Sequence, residues 1–216
     1  MLAFSSSMSY LYENYIYPNK LTNRMKITLI RAEKESGKEA LSTLEADALI
    51  KKLKTKAGHV STLRAILPQL EGTCVRYEHI DKLPRIYPAV EYSRTQEGER
   101  WMKNYNGLVQ LEVNRLSGIA EAEYVKQQAA LLPQTFAAFC GSKIWVLFAL
   151  PDGTTPKRES DATLFHAHAY RMAVKCYQPL LPFAITLKEP SLTQSCRMTL
   201  DGYPYYNPAA VPFCLE

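Results

Sequence analysis

The sequence predicts an α+β fold in which a mixed, mostly antiparallel sheet is flanked by helices. The first observation is composition: apolar residues make up 47% of the 216 positions and charged residues 22%, which is typical of a globular chain with a sizeable core. The second is the predicted order of elements, β-α-α-β-α-β-β-α-β-β, in which strands often follow strands without an intervening helix. The third is the lack of repeats and of a low-complexity linker, which favours one main domain.

The beginning of the chain divides into a leader and the first strand. Residues 1–24 are rich in Ser, Tyr and Asn and are interpreted as a leader of uncertain order, whereas residues 25–216 are expected to form the domain. The run MKITLIR at 25–31 is rich in apolar and β-branched residues, so it predicts the first strand.

Two helices are predicted after this strand. Ser42 and Glu45 have the spacing of a capping box, which predicts a helix over 42–56. The apolar residues of that segment recur at helical spacing: Ala46, Leu49, Ile50 and Leu53. Residues 60–67 predict a second helix, which ends before Pro68. The region 72–104 is predicted to be irregular, with extended chain around its prolines.

The second half predicts the centre of the sheet. A strand is expected at 107–113, a helix at 120–132, and two strands that meet at a turn within 135–150. The segment 161–177 predicts the clearest helix, with an apolar stripe formed by Phe165, Ala169, Met172 and Cys176. Two short strands, FAITL and CRMTL, and a turn-rich tail are expected to follow.

The predicted strand at 107–113 raises a functional question. Gln110, Glu112 and Asn114 alternate along it, so their side chains are expected on one face. On these residues alone, the solvated face of a strand is favoured over a metal site. A second candidate, His166 and His168, is a weak one, since residues two apart on a helix point in different directions and cannot both bind one metal.

Other features bear on the cellular location. No apolar run approaches the roughly 20 residues of a membrane span, and the start lacks the basic and apolar regions of a signal peptide. The cysteines are odd in number, widely spaced and without a C-x-x-C motif, so a cytoplasmic protein with no disulfide framework is expected. They are Cys74, Cys140, Cys176, Cys196 and Cys214.

Four stretches together carry a resemblance to a known family. They are LPRIYPAVEYS, NGLVQLEVNRL, FCGSKIWVLFAL and KEPSLTQSCRMTLDGYPYYNPAAVPF. They resemble the segments of the N-terminal primase-polymerase-like domain of virulence-associated-E-type replication proteins, which are found on bacterial mobile elements. The resemblance covers about the last 190 residues and implies a primase-polymerase-like fold.

The resemblance also implies a catalytic site, and this chain departs from the family at each position. Glu112 and Asn114 stand where the family has paired aspartates, and Glu189 replaces the aspartate of its third motif. Nucleotidyl transfer with two metal ions needs carboxylates to hold both ions. The remaining carboxylates, Glu112 and Glu189, are expected to hold at most one weakly bound Mg²⁺ or Mn²⁺.

Phosphate and base contacts are expected around the same motifs. The candidates for nucleotide or phosphate binding are Ser142, Lys143 and Arg197, and those for base stacking are Tyr203, Tyr205 and Tyr206. The implied partners are single-stranded DNA, nucleotide, and a helicase module or other replication protein. We therefore expect a replication domain with a degenerate site that binds nucleic acid. The alternatives are a weakly active nucleotidyltransferase and a protein-interaction domain.

Overall fold

The computed structural model describes residues 25–32, 39–55, 80, 82–139, 143–198 and 201–215. The leader and the predicted helix at 60–67 lie outside these residues. The strands are β1 (Lys26–Ala32), β2 (Glu39–Glu45), β3 (Arg85–Tyr87), β4 (Val90–Arg94), β5 (Arg100–Tyr105), β6 (Leu108–Glu112), β7 (Thr135–Phe139), β8 (Lys143–Ala149), β9 (Cys196–Arg197), β10 (Tyr205–Tyr206) and β11 (Phe213–Cys214). The helices are α1 (Ala46–Lys54), α2 (Ile119–Ala129) and α3 (Glu159–Tyr177), and a 3₁₀ turn follows at Gln178–Leu180.

The first sheet has the strand order β2-β1-β3-β9, and all of its pairs are antiparallel. The predicted first strand is confirmed. The capping box is wrong, because residues 39–45 form β2 and pair with β1 along its whole length. Glu45 is the residue before α1 and makes no side-chain cap. The helix stripe is confirmed, since Ala46, Leu49, Ile50 and Leu53 are all buried.

The central sheet is built on β8, which pairs with β6 on one side and β7 on the other, both antiparallel. Strand β10 extends the sheet next to β7, and β11 runs parallel to the end of β8. One face, with Leu108, Trp145 and Leu147, packs against α1 and the first sheet. The opposite face packs against α2 and α3. The fold is therefore α+β with mostly antiparallel strands, as the sequence predicts.

The region 72–104 is more regular than predicted, because its described part contains β3 and the β4–β5 hairpin. The hairpin is tied to the first sheet by one buried hydroxyl. Thr28 Oγ1 donates to the Val90 carbonyl at 2.9 Å and accepts the Tyr92 N–H at 2.8 Å. A polar residue in the middle of an apolar strand thus joins the two sheets.

The junction between β5 and β6 is tightly packed. The Asn106 side chain donates to the carbonyls of Lys26 (2.8 Å) and Pro88 (2.9 Å). Gly107 has φ +70°, and its carbonyl accepts the Phe148 N–H. A Cβ at Gly107 would stand 2.2 Å from the Phe148 carbonyl oxygen. Only glycine fits this backbone without a shift.

The long helix α3 is confirmed, but its buried stripe is rotated from the predicted one. Ala169 is buried as predicted, whereas Phe165, Met172 and Cys176 are only partly buried. The fully packed residues are Ala162, His166, Ala169, Tyr170, Ala173 and Tyr177. The predicted strand FAITL is reduced to a single bridge between Ile185 and Val113.

In the described part of the chain, the helices are all too short or too polar to cross a membrane. The cytoplasmic location stays a prediction.

Candidate functional site

The candidate site lies where β6 and β8 pair on the face that looks toward the first sheet. Glu112 stands directly opposite Lys143, and Gln110 directly opposite Trp145. Opposite residues of an antiparallel pair share a face, so these four side chains form two adjacent rungs. Glu112 is at the end of the strand and partly exposed, whereas Gln110 is one rung deeper and only 2% exposed.

Glu112 is held by two lysines. Its Oε1 pairs with Lys143 Nζ and its Oε2 with Lys188 Nζ. Burial works to raise the pKa of Glu112, but the hydrogen bonds and charges of the two lysines outweigh it and hold that pKa below its ordinary value. We call this group, Lys143, Glu112 and Lys188, the lysine–glutamate triad. The triad has a net charge of +1, and each carboxylate oxygen of Glu112 is paired with one lysine.

The other predicted catalytic residues lie at the surface. Asn114 is exposed just beyond the end of β6, and Glu189 is exposed and directly follows Lys188. Within the described residues, no group of three or more His, Cys, Asp or Glu side chains is placed to hold a metal ion. Binding of Mg²⁺ or Mn²⁺ by Glu112 and Glu189 stays a prediction, and it would require an ion to displace a lysine from Glu112.

The inner rung is closed by polar side chains. Trp145 Nε1 donates to Gln110 Oε1 at 3.1 Å, and Gln194 Nε2 donates to the Gln110 carbonyl at 3.4 Å. The other atoms of these two amides, Gln110 Nε2 and Gln194 Oε1, are buried without a hydrogen-bond partner in the described structure. Trp145 is therefore a buried hydrogen-bond donor within this inner rung.

The predicted phosphate-binding residues have different surroundings. Lys143 belongs to the triad, and Ser142 lies outside the described residues. Arg197 stands opposite Arg85 in the β3–β9 pair, and its Nη1 donates to the Leu83 carbonyl at 3.1 Å. The residue before Arg197 is the buried Cys196. Burial is the main cause that raises the pKa of the Cys196 thiol to about 12, and the charges of the triad have smaller effects.

The three tyrosines do not share one surface. Tyr206 packs edge-on against Phe136, with 5.4 Å between ring centroids, and burial raises its pKa to about 12. Tyr205, its neighbour on β10, packs into the cluster around α3 on the other face. Tyr203 is 78% exposed. Base stacking stays a prediction for these residues, and only the Tyr203 ring is broadly accessible.

The two histidines also differ. His168 is exposed, whereas His166 is buried, with its Nδ1 3.0 Å from the Tyr105 hydroxyl. Burial lowers the pKa of His166 to about 4. The contact between His166 and Tyr105 belongs to the packing between α3 and the β4–β5 hairpin.

Two residues of the site were missed by sequence reasoning, Lys188 and Gln194. Lys188 is 76 positions from Glu112, in a segment without regular structure. Gln194 lies in the fourth stretch of the resemblance but was not among the predicted site residues. The signal that could have identified Lys188 is its place beside Glu189 in the fourth stretch of the resemblance, because Glu189 was expected to share a metal site with Glu112.

Comparison with known proteins gives one family. Residues 78–206, more than half of the chain, match the family described as BT4734-like, N-terminal domain. No curated protein and no solved structure matches significantly.

This match corrects the resemblance to virulence-associated-E-type primase-polymerase domains. The matching family is a different one, so the assignment from the four stretches is wrong. Those stretches are short, and every position that is catalytic in the primase-polymerase-like family is substituted here. The assignment therefore depended on spacing and on common residue types. The replication role and the helicase partner were implied by that resemblance alone and stay predictions.

Proposed function

Since the chain belongs to the BT4734-like N-terminal domain family, we propose for this member a function read from its own site: binding of single-stranded nucleic acid through phosphate contacts, without metal-dependent catalysis. The lysine–glutamate triad is the observation that carries the proposal. Two ammonium groups flank one carboxylate at the edge of the central sheet, which leaves an excess of positive charge.

The triad suits a polyanion. Lys188 has 42% of its side chain exposed and Lys143 has 20%, so phosphate oxygens can approach both ammonium groups. Neutralising phosphates releases counterions, and this supplies most of the affinity of sequence-tolerant binding. The chain as a whole has a net charge of +5, which supports attraction to nucleic acid over a longer range.

The same geometry argues against the alternative of nucleotidyl transfer. Two-metal catalysis needs carboxylate oxygens that are free to coordinate both ions. Both oxygens of Glu112 are occupied by lysines, and Asn114 is neutral and exposed. A two-metal site at this position would require further ligands and the loss of both lysine contacts to Glu112.

The first test replaces the central carboxylate. In Glu112→Gln the two lysines lose their counter-ion and become available to phosphate. We expect the affinity for a labelled single-stranded oligonucleotide to rise about threefold. This change corresponds to the free energy of one partly exposed ion pair. Fluorescence anisotropy at low salt measures this change.

The same variant separates the two functions. If Glu112 is a catalytic metal ligand, Glu112→Gln abolishes primer extension in the presence of Mn²⁺ and leaves binding unchanged or weaker. Extension by the native chain that disappears in Glu112→Gln would overturn the proposal.

The second test removes one exposed cation. We expect Lys188→Gln to weaken binding about fivefold and to lower the slope of log K against log salt by about one, because one phosphate contact is lost. Lys175→Gln is the matched control, since Lys175 is exposed in the last turn of α3, on the other face of the sheet, and carries the same charge. Equal effects of the two variants would mean that only net charge matters. Failure of the native chain to bind even at low salt would favour a protein-interaction role.

A further inference from the structure

We propose that Arg85 and Arg197 form a second phosphate-binding point, so that a single strand passes from the lysine–glutamate triad over the edge strand β9 to this arginine pair. The inference rests on the proposed function and adds the path of the strand across the protein. It depends on the pairing of β3 with β9 and on the charges of the segment 188–197.

The two arginines face each other across an antiparallel pair of strands. Arg85 stands directly opposite Arg197. In the next rung, the Met198 N–H donates to the Pro84 carbonyl at 2.8 Å. Hydrogen-bonded and non-hydrogen-bonded rungs alternate along such a ladder, so the arginines occupy a non-hydrogen-bonded rung, where opposite side chains are closest.

Both arginine side chains point away from the core between the two sheets. Their neighbours Ile86 and Cys196 lie opposite each other and belong to that core. Successive residues of a strand point to opposite faces, so Arg85 and Arg197 share the outer face. Arg85 is exposed and Arg197 is partly exposed. A phosphate can therefore approach the pair from solvent.

The charge around this pair favours an anion. Like charges directly opposite each other are unfavourable in a sheet. Arg197 Nη1 donates to the Leu83 carbonyl at 3.1 Å, which holds the guanidinium beside β3. Lys82 adds an exposed cation, and no carboxylate of the described residues pairs with Lys82 or Arg85. A phosphate between the two guanidinium groups would offset their repulsion and accept hydrogen bonds from both.

The arginine pair lies within reach of the triad. Gln194, three residues before Arg197, contacts the Gln110 carbonyl on β6, and Glu112 is two residues further along that strand. Three residues span at most about 10 Å and two strand residues about 7 Å, so the two points are separated by on the order of 20 Å. A stacked strand advances about 3.4 Å per nucleotide, so about six nucleotides reach from one point to the other.

The surface between the two points is compatible with a polyanion. Strand β9 is the last strand in the order of the first sheet. Residues 190–195 have no charged side chain, and Glu189 is the single acidic residue of the segment 188–197. The side chains of Thr193 and Ser195 are at least partly exposed, and their hydroxyls can donate to phosphate oxygens. A strand that crosses β9 therefore meets mainly neutral polar groups between two cationic points.

The experiment compares short and long strands. Fluorescence anisotropy at low salt is measured for the native chain and for Arg85→Gln with labelled oligothymidylates of about three and about twelve nucleotides, of which only the longer spans both points. We expect Arg85→Gln to weaken binding of the longer strand about fivefold and to lower its slope of log K against log salt by about one. Binding of the shorter strand should weaken less than about twofold, because that strand still occupies the triad.

Arg171→Gln is the matched control, because Arg171 is exposed on α3, on the other face of the central sheet, and carries the same charge. Arg85→Lys keeps the charge and should retain the native salt slope. Equal losses in Arg85→Gln and Arg171→Gln would overturn the second point, since only net charge would matter. Equal losses for both strand lengths would overturn the path from the triad to the arginines. Failure of the native chain to bind either strand would overturn the proposed function as well.

Discussion

Gly107→Ala is expected to lower the free energy of unfolding by about 2 to 4 kcal/mol. The first contribution is backbone strain, since φ at this position is +70° and a side chain there costs about 1 kcal/mol or more. The second is steric, because the new Cβ would stand 2.2 Å from the Phe148 carbonyl oxygen, and relieving such a contact costs roughly 1 to 3 kcal/mol. Urea denaturation followed by circular dichroism measures the loss.

Gly153→Ala provides a matched control for this prediction. Gly153 has φ +76°, almost the same backbone conformation, but nothing lies within 4 Å of the Cβ that alanine would add. Its loss of stability should therefore be about 1 kcal/mol, the strain alone. Equal losses of unfolding free energy in the two variants would contradict this prediction. They would mean that the β5–β6 junction relaxes without cost and that the close approach of β6 and β8 at Gly107 does not constrain the fold.

Acid is expected to destabilise the protein through His166. Burial lowers the pKa of this residue from its ordinary 6.5 to about 4, so the unfolded chain takes up the proton first as pH falls. The contribution of His166 to stability is complete above about pH 6.5 and is lost progressively toward pH 4. The full loss is about 3 kcal/mol, of which roughly 2 kcal/mol has occurred by about pH 5.

The contribution of His166 is isolated by comparing two variants across this pH range. His166→Phe removes the titrating group from the packed face of α3 and should flatten the dependence of unfolding free energy on pH between 6.5 and 4. His168→Gln, two positions away on the exposed face, should keep the native dependence. A native dependence retained by His166→Phe would show that other groups, such as carboxylates, cause the acid sensitivity.

The fold could be predicted where local pattern and tertiary environment agree. The period of Ala46, Leu49, Ile50 and Leu53 identified the buried side of α1, because the helix packs one stripe on the sheets. The start of the same helix could not be predicted. A capping box at Ser42 and Glu45 is a local signal, and the pairing of residues 39–45 with β1 overrides it.

The buried stripe of α3 shows a second limit. His166 is polar by type, yet it lies on the packed face because the Tyr105 hydroxyl meets its ring nitrogen there. A stripe chosen from apolar residues alone, with Phe165 and Met172, is rotated away from the true one. The partner that makes a buried histidine acceptable comes from β5, sixty-one positions away, and no local pattern contains it.

The candidate site was predictable only in part for the same reason. Alternation correctly put Gln110 and Glu112 on one face, and the second strand of the pair brought Lys143 to Glu112. The interpretation of that face as solvated was wrong for Gln110, which is buried against Trp145. The role of Lys188 depends on an irregular segment that runs beside the end of β6, and no local pattern predicts that path.

The order of strands in the first sheet has a consequence for how the chain folds. Its neighbours β1, β3 and β9 come from residues 26–32, 85–87 and 196–197, so the sheet joins the start of the described chain to a segment in its last fifth. Pairing of β3 and β9 with this sheet requires long loops to close before those contacts form, and chains dominated by such contacts fold in milliseconds to seconds. Until β9 arrives, the open edge of β3 stays available for pairing with other strands, which makes the late stage of folding the period of greatest risk of aggregation.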